Sequence, residues 1–275
     1  MENRIPTSPK IVFFDIDDTI YRKYTDTLRP SVFRAMAALK SRGILTAIAT
    51  GRSPAALPDK VKMLIAETGI DMLVTINGQY TTFRGEVLQA YPLDMAGMEK
   101  MCAFFDRQGI AYAFVNHNEI AVSEATPRVR EALSHIVAGF VCDKDYFYKK
   151  PVYQMLVFAD AAEEKAIAGK VAAEGFKLVR WHETAVDMLR PEGSKARGIA
   201  HALDVLGIPI NEAAAFGDGL NDVEMLSAVG LGVAMGNGAD EAKAAADFVC
   251  PSVDEDGVWR GLLALGIIDD AQQAV

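Results

Sequence analysis

Three carboxylates stand in the run Asp15-Ile16-Asp17-Asp18-Thr19, directly after the apolar stretch Ile11 to Phe14. A single aspartate there would serve as a helix cap or surface turn. Three within four residues repel one another unless a cation lies among them. Oxygen donors at this charge density favour a hard divalent ion, and Mg²⁺ above others. A second acidic loop, Gly217-Asp218-Gly219-Leu220-Asn221-Asp222, also follows an apolar run. Gly217 and Gly219 let its backbone turn tightly. Asp218 would complete a metal site begun by the first cluster, and Asn221 and Asp222 would open the next helix, where phosphate is favoured.

Two weaker signals sit at comparable places. Thr50-Gly51, closing the apolar run Ile44 to Ala49, offers a hydroxyl and an unhindered N–H, both donors for a phosphoryl oxygen. Lys195, in Pro191-Glu192-Gly193-Ser194-Lys195 at a helix start, would supply the positive charge a transferring phosphoryl group needs. Arg52, beside Thr50, is a candidate for contact with an anionic substrate. Each of these alone is an ordinary surface feature; their weight comes from their company.

The elements that must position these residues follow a regular rhythm. An apolar strand over 10–14 is followed by a helix over 30–41, with Pro30 in its first turn and Gly43 past its end. A strand over 44–49, a helix over 54–67 and a strand over 72–76 come next. Nearly continuous apolar strands alternating with helices predict a parallel sheet covered on both faces. In such sheets ligands bind beyond the carboxyl ends of the strands, which is where both acidic runs fall. Around 79–90 the pattern turns to a hairpin, and an α+β segment runs on to about 189. Its clearest pieces are a helix over 95–107, a strand over 152–158, a helix over 161–174 and strands over 176–181 and 185–189. The parallel rhythm then resumes with a helix over 194–206, a strand over 213–216, a helix over 220–228 and a strand over 232–235. The expected fold class is α/β: a Rossmann-like core domain, 1–82 plus 190–275, split by an inserted α+β domain at 83–189.

Composition bounds the rest. The chain has 275 residues, 51% apolar and 24% charged, with a net charge of −9. That balance argues against a nucleic-acid partner, because no basic excess exists to neutralise a phosphate backbone. Cys102, Cys142 and Cys250 are sparse and unclustered, as in a reducing compartment. No apolar run reaches the roughly 20 residues of a membrane helix, and no signal-peptide core precedes the strand at 10–14. The expectation is a cytoplasmic protein with no membrane partner, a monomer or small homo-oligomer.

Other motifs carry little. The glycines at 230, 232, 236 and 238 do not form a G-x-G-x-x-G frame, and 15–19 lacks the glycine of a calcium loop. His117, His135, His182 and His201 have no zinc-binding spacing.

Taken together and in this order, FFDIDDTI, AIATGR, EGSKARGI and FGDGLND resemble the four motifs of the haloacid dehalogenase-like hydrolase superfamily, and specifically of its Cof-type branch. The insertion is similar to that branch's C2B cap, and Gly232 to Asn237 is also reminiscent of it. Asp18 stands where many members have Gly. The resemblance implies a phosphatase acting on small phosphorylated metabolites, such as sugar phosphates, pyridoxal phosphate or FMN. Asp15 would be the nucleophile and Asp17 the acid/base. Mg²⁺ would be held by the Asp15 carboxylate, the Asp17 carbonyl and Asp218, with Asp222 in support. Thr50, Gly51, Lys195 and Asn221 would cradle the phosphoryl oxygens. The cap would close over the site and contact the leaving group. A phosphotransferase or phosphomutase would use the same residues, and a non-enzymatic phosphoacceptor would use the acidic pocket and lysine alone.

Overall fold

A computed structural model describes residues 8–269 apart from 135 and 138; His135 therefore lies outside the described residues. These residues form two compact units. One comprises the residues up to Gly51, Asp59–Gln89 and those from Ser194 onward; the other comprises Arg52–Pro58 and Ala90–Gly193.

The first unit is built on a sheet. Strand β1 (Ile11–Phe14) is wholly buried, as a strand must be when helices cover both faces. Helix α1 (Pro30–Ser41) has its proline at N1, and Gly43, just past its end, takes φ +71. Strand β2 (Leu45–Ala49) pairs in parallel with β1 and with β3 (Met72–Thr75). Between them the expected helix over 54–67 is broken. A 3-10 turn, Pro54–Ala56, ends at Leu57 in an extended conformation, and α2 (Asp59–Thr68) starts beyond Pro58. The pyrrolidine ring of Pro58 disfavours helical geometry in the residue before it, which sets the break. Strand β4 (Tyr80–Phe83) runs antiparallel to β3, and β5 (Glu86–Ala90) lies beyond β4 at the sheet's edge. The expected boundary at 82/83 thus falls within β4, whereas the compact units part at Gln89/Ala90 and Gly193/Ser194. The hairpin rhythm at 79–90 signals antiparallel pairing, and such pairing can equally extend a parallel sheet at its edge.

The second unit holds a sheet of its own. Helix α3 (Met95–Gln108) is capped by the Asp94 carboxylate, which accepts from Gly97 N. There follow β6 (Tyr112–Val115), β7 (Ile120–Val122), α4 (Pro127–Leu133), β8 (Val141–Cys142), β9 (Gln154–Val157) and α5 (Ala161–Ala173). Strands β10 (Lys177–His182) and β11 (Ala185–Leu189) close it, in the order β8-β7-β6-β9-β11-β10. Phe105, Tyr112, Phe114, Met155 and Phe176 are among the side chains of its core. Arg52 Nη1 donates to the carbonyls of Ala56, at 2.9 Å, and Ile136, at 3.1 Å, within this unit.

The chain returns to the first unit through α6 (Lys195–Leu206), β12 (Ala213–Gly217), α7 (Val223–Ala228), β13 (Leu231–Ala234), α8 (Asp240–Ala245), β14 (Phe248–Val249) and α9 (Gly257–Ala264). The helix expected over 220–228 begins as a 3-10 turn at Leu220–Asp222 before α7. The sheet order is β14-β13-β12-β1-β2-β3-β4-β5, with six parallel strands from β14 to β3. From β1 the chain winds outward one way, then returns to wind the other way from β12. The switch of direction therefore lies between β1 and β12, the place where a sheet of this kind opens to ligand. Phe14 pairs with both Phe216 and Ile48, and the Phe14 and Phe216 rings stack at 5.3 Å.

Candidate active site

Register alone brings three of the sequence motifs to one edge. Asp15 follows Phe14 in β1, Asp218 follows Gly217 in β12, and Thr50 follows Ala49 in β2; the strands are neighbours with aligned carboxyl ends. Asp15 N donates to Phe216 O at 2.9 Å, which extends the ladder to the first carboxylate.

The fourth motif arrives through α6. Ser194 caps that helix by accepting from Arg197 N at 3.2 Å, and Lys195 occupies its first turn. Only 1% of Lys195 is exposed. Its Nζ donates to Asp15 Oδ1 at 2.6 Å and to Asp222 Oδ1 at 2.7 Å. Burial on its own would lower the lysine's pKa, but the charges of Asp15 and Asp222 outweigh it and hold the ammonium protonated. Asp222 Oδ2 accepts from the N–H groups of Asp218 and Gly219, both at 2.9 Å. Both oxygens of Asp222 are therefore engaged by the protein, and the residue braces Lys195 against the 217–219 loop. Asp15 Oδ2, by contrast, meets no protein donor among the described residues.

The carboxylates of Asp15, Asp218 and Asp222 each offer an oxygen within 4.8 Å of the others. Asp218 Oδ1 also accepts from Thr19 Oγ1 at 3.0 Å. Burial, followed by the charge of Asp222, pushes the Asp218 carboxyl up to about 7, against the Thr19 hydrogen bond. Burial likewise raises Asp15 well above the usual carboxylate range, opposed by Lys195 and assisted by Asp222 and Asp218. Asp17 is half-buried and its carboxylate is not part of this group; Asn221 is exposed, and Thr50 is buried. With all three carboxylates ionised against one ammonium, the group carries two negative charges, and all the donors are oxygen. That set fits a hard divalent cation.

Glycine at 217 is required for space. A Cβ there would lie 2.6 Å from Asp222 Cγ and 2.8 Å from its Oδ2. Asp222 is held from three sides and cannot yield without moving Lys195. We expect Gly217→Ala to lower kcat/KM by about 10²-fold, the effect of a misplaced catalytic group, and to cost about 1–3 kcal/mol from overpacking. Steady-state kinetics and thermal unfolding check both; an unchanged kcat/KM would show that Asp222 does not set the site.

The sequence did not single out Asn237, nor show what Asp18, Arg52 and Gly51 contact. Asp18 adopts φ +59 and pairs with Arg22 at 2.9 Å. The left-handed backbone explains why glycine suits this position, and aspartate is among the few other residues that tolerate it. Asn237 Nδ2 donates to Asp18 O at 2.8 Å while its Oδ1 accepts from Val253 N at 2.8 Å, anchoring the 15–19 loop. Its place within Gly232–Asn237 was the only hint. Arg52 contributes its Nη1 to the carbonyls named above, and Gly51 lies beside the Asn77 side chain.

A family model described as haloacid dehalogenase-like hydrolase matches residues 12–262. YkrA of Bacillus subtilis (strain 168), which carries the provisional name of a phosphatase, is 37% identical over 94% of this chain and 98% of its own. A solved structure of a hypothetical protein from Geobacillus kaustophilus HTA426 has a TM-score of 0.85 and 38% identity, covering 95% of this chain and 100% of that one. The subclass IIB sugar phosphatase BT4131 aligns with a TM-score of 0.83 and 30% identity, covering 94% and 100% respectively. Among the described residues, no helix is long and apolar enough to cross a membrane.

Proposed function

We propose, since the chain belongs to the haloacid dehalogenase-like hydrolase family as a Cof-type phosphatase of phosphate monoesters, that it uses Mg²⁺ and a phosphoryl intermediate on Asp15 to release phosphate from small metabolites. Sugar phosphates and phosphorylated cofactors such as pyridoxal phosphate or FMN are the substrate classes in view; the likeness to a sugar phosphatase supports the first. The observation that carries the reading is the buried Lys195 shared between Asp15 and Asp222 with Asp218 alongside. No structural salt bridge needs a third carboxylate beside the pair.

In this reading Lys195 fixes Asp15 by its Oδ1, leaving Oδ2 to attack the phosphorus in line as the ester P–O bond breaks. Asp17 gives its proton to the departing alcohol oxygen. A water then attacks the phosphorus, Asp17 takes its proton, the bond to Asp15 breaks, and inorganic phosphate leaves with the carboxylate restored. Thr50, Gly51, Asn221 and Lys195 hold the phosphoryl oxygens. Mg²⁺ would be held by the Asp15 and Asp218 carboxylates and the Asp17 carbonyl, with Asp222 in support, and would supply positive charge at the phosphoryl oxygens. The test is phosphate release from a panel of phosphorylated metabolites with Mg²⁺ and with EDTA. Release that EDTA stops supports the reading, and no release from any ester by folded, metal-loaded protein overturns it.

Asp218 makes metal binding pH-dependent. Its raised pKa means the metal-free site carries a proton below about pH 7, which the ion must displace. Mg²⁺ affinity should therefore weaken by up to about tenfold per unit as pH falls below that value, with proton release on binding. Calorimetry in buffers of different ionisation enthalpy checks this. A dissociation constant that stays flat from about pH 5.5 to 8.5 would contradict it.

A further inference from the structure

Beyond β3, three consecutive residues take left-handed backbone: Ile76 at φ +52, Asn77 at +49 and Gly78 at +80. Glycine is at ease there, asparagine tolerates it, and a β-branched isoleucine does not. Ile76 is fully buried, so the surroundings enforce a conformation its side chain disfavours. Strained backbone of this kind persists only where neighbouring contacts over-determine it. The neighbours here are two parts of the site that lie far apart in the sequence.

On one side is the Thr50 loop. Thr50 N donates to Val74 O at 2.9 Å, and Asn77 N donates back to Thr50 O at 3.1 Å. The Asn77 side chain covers Gly51 so closely that a Cβ on Gly51 would sit 3.1 Å from Asn77 Oδ1. On the other side is the first turn of α6. A Cβ on Gly78 would lie 2.2 Å from Ser194 O, and one on Gly198 would lie 2.6 Å from Gly78 Cα. Gln89 closes the junction, its Nε2 donating to Thr81 Oγ1 at 3.0 Å, Gly198 O at 3.3 Å and Gly78 O at 3.4 Å. The backbone of 76–78 thus touches both the loop bearing Thr50 and the turn bearing Lys195.

We propose that the strained turn Ile76-Asn77-Gly78 is the positioning element that fixes Thr50 and Lys195 relative to each other, with Asn77 and Gly78 as positioning residues for phosphoryl transfer. The proposal rests on the phosphatase reading above. The turn meets α6 at Ser194, one residue before Lys195, whereas Asp218 is held by the Thr19 hydroxyl and by the Asp222 carboxylate. Disturbing it should therefore reduce turnover while leaving metal binding intact.

Two variants test this from opposite sides. Asn77→Gly keeps the left-handed backbone and removes the side chain packed on Gly51. Gly78→Ala pushes directly on the Ser194 carbonyl. With the best ester from the panel, kcat should fall about tenfold for Asn77→Gly and about 10²-fold for Gly78→Ala, with KM within about threefold. Mg²⁺ affinity should match the wild type in both. A purely structural role would lower the melting temperature and leave kcat unchanged well below it. If Gly78→Ala does not fold, Asn77→Gly decides alone. Wild-type kcat in folded Asn77→Gly, or a loss of Mg²⁺ affinity parallel to the loss of kcat, overturns the proposal while the phosphatase reading stands. A wild-type protein that releases no phosphate from any ester removes both.

Discussion

Asp15→Asn should abolish turnover, lowering kcat by at least about 10⁴-fold on every ester the wild type accepts, as loss of a covalent nucleophile does elsewhere. The carboxamide cannot form the phosphoryl bond, and it also ends the ion pair that Lys195 makes at 2.6 Å. The fold should survive. Lys195 keeps Asp222 at 2.7 Å, and one negative charge is removed from a place where burial and neighbouring carboxylates already disfavour it. The variant should therefore lose activity without loss of melting temperature in metal-free buffer. Residual hydrolysis within about tenfold of the wild type would mean that water attacks the ester directly and that Asp15 only binds.

Lys195→Met should be the more damaging substitution for the protein as a whole. It leaves Asp15 and Asp222 buried without the ammonium that joins them, and breaking a buried pair from one side costs about 3–5 kcal/mol. Turnover should fall by about 10³-fold, the scale of losing a preorganised charge at a transition state. The stability effect also has a sign in pH. Without the lysine, Asp15 loses the neighbouring positive charge that opposes its raised pKa and titrates higher still in the folded chain, so the folded state binds more protons over that range. The variant's stability then drops as pH rises through that window, and its deficit against wild type should widen from acid to neutral pH. Chemical denaturation at several pH values measures this. A deficit that narrows with pH would show that the carboxylates are not the groups left unpaired.

The legible and illegible parts of this site differ in a physical way. Asp15, Thr50 and Asp218 could be placed from sequence because each ends an apolar strand, and a parallel sheet aligns its strand ends automatically. Lys195 could be placed at a helix start, but not inside the protein, since a lysine's burial depends on the carboxylates waiting for it. The split of the helix expected over 54–67 was written in Leu57-Pro58, a signal outweighed by the apolar periodicity around it. The edge hairpin at 80–90 was recognised as a hairpin, yet its allegiance to the eight-stranded sheet depends on pairing with β3, which sequence periodicity does not encode. Asn77 and Asn237 were illegible for a related reason. The groups they meet, Thr50 O for the Asn77 N–H and Asp18 O and Val253 N for the Asn237 side chain, are brought to them by the tertiary fold.

The central claim is that phosphate passes through Asp15, and the most direct measurement is to trap it there. The protein would be mixed with a labelled ester and Mg²⁺, quenched in acid within the first turnover, reduced with borohydride and mapped by mass spectrometry. The account predicts labelled protein before reduction and homoserine in place of Asp15 after it, with no other carboxylate converted. Prompt release of labelled phosphate with Asp15 unmodified at every quench time, or conversion at a different carboxylate, would contradict it.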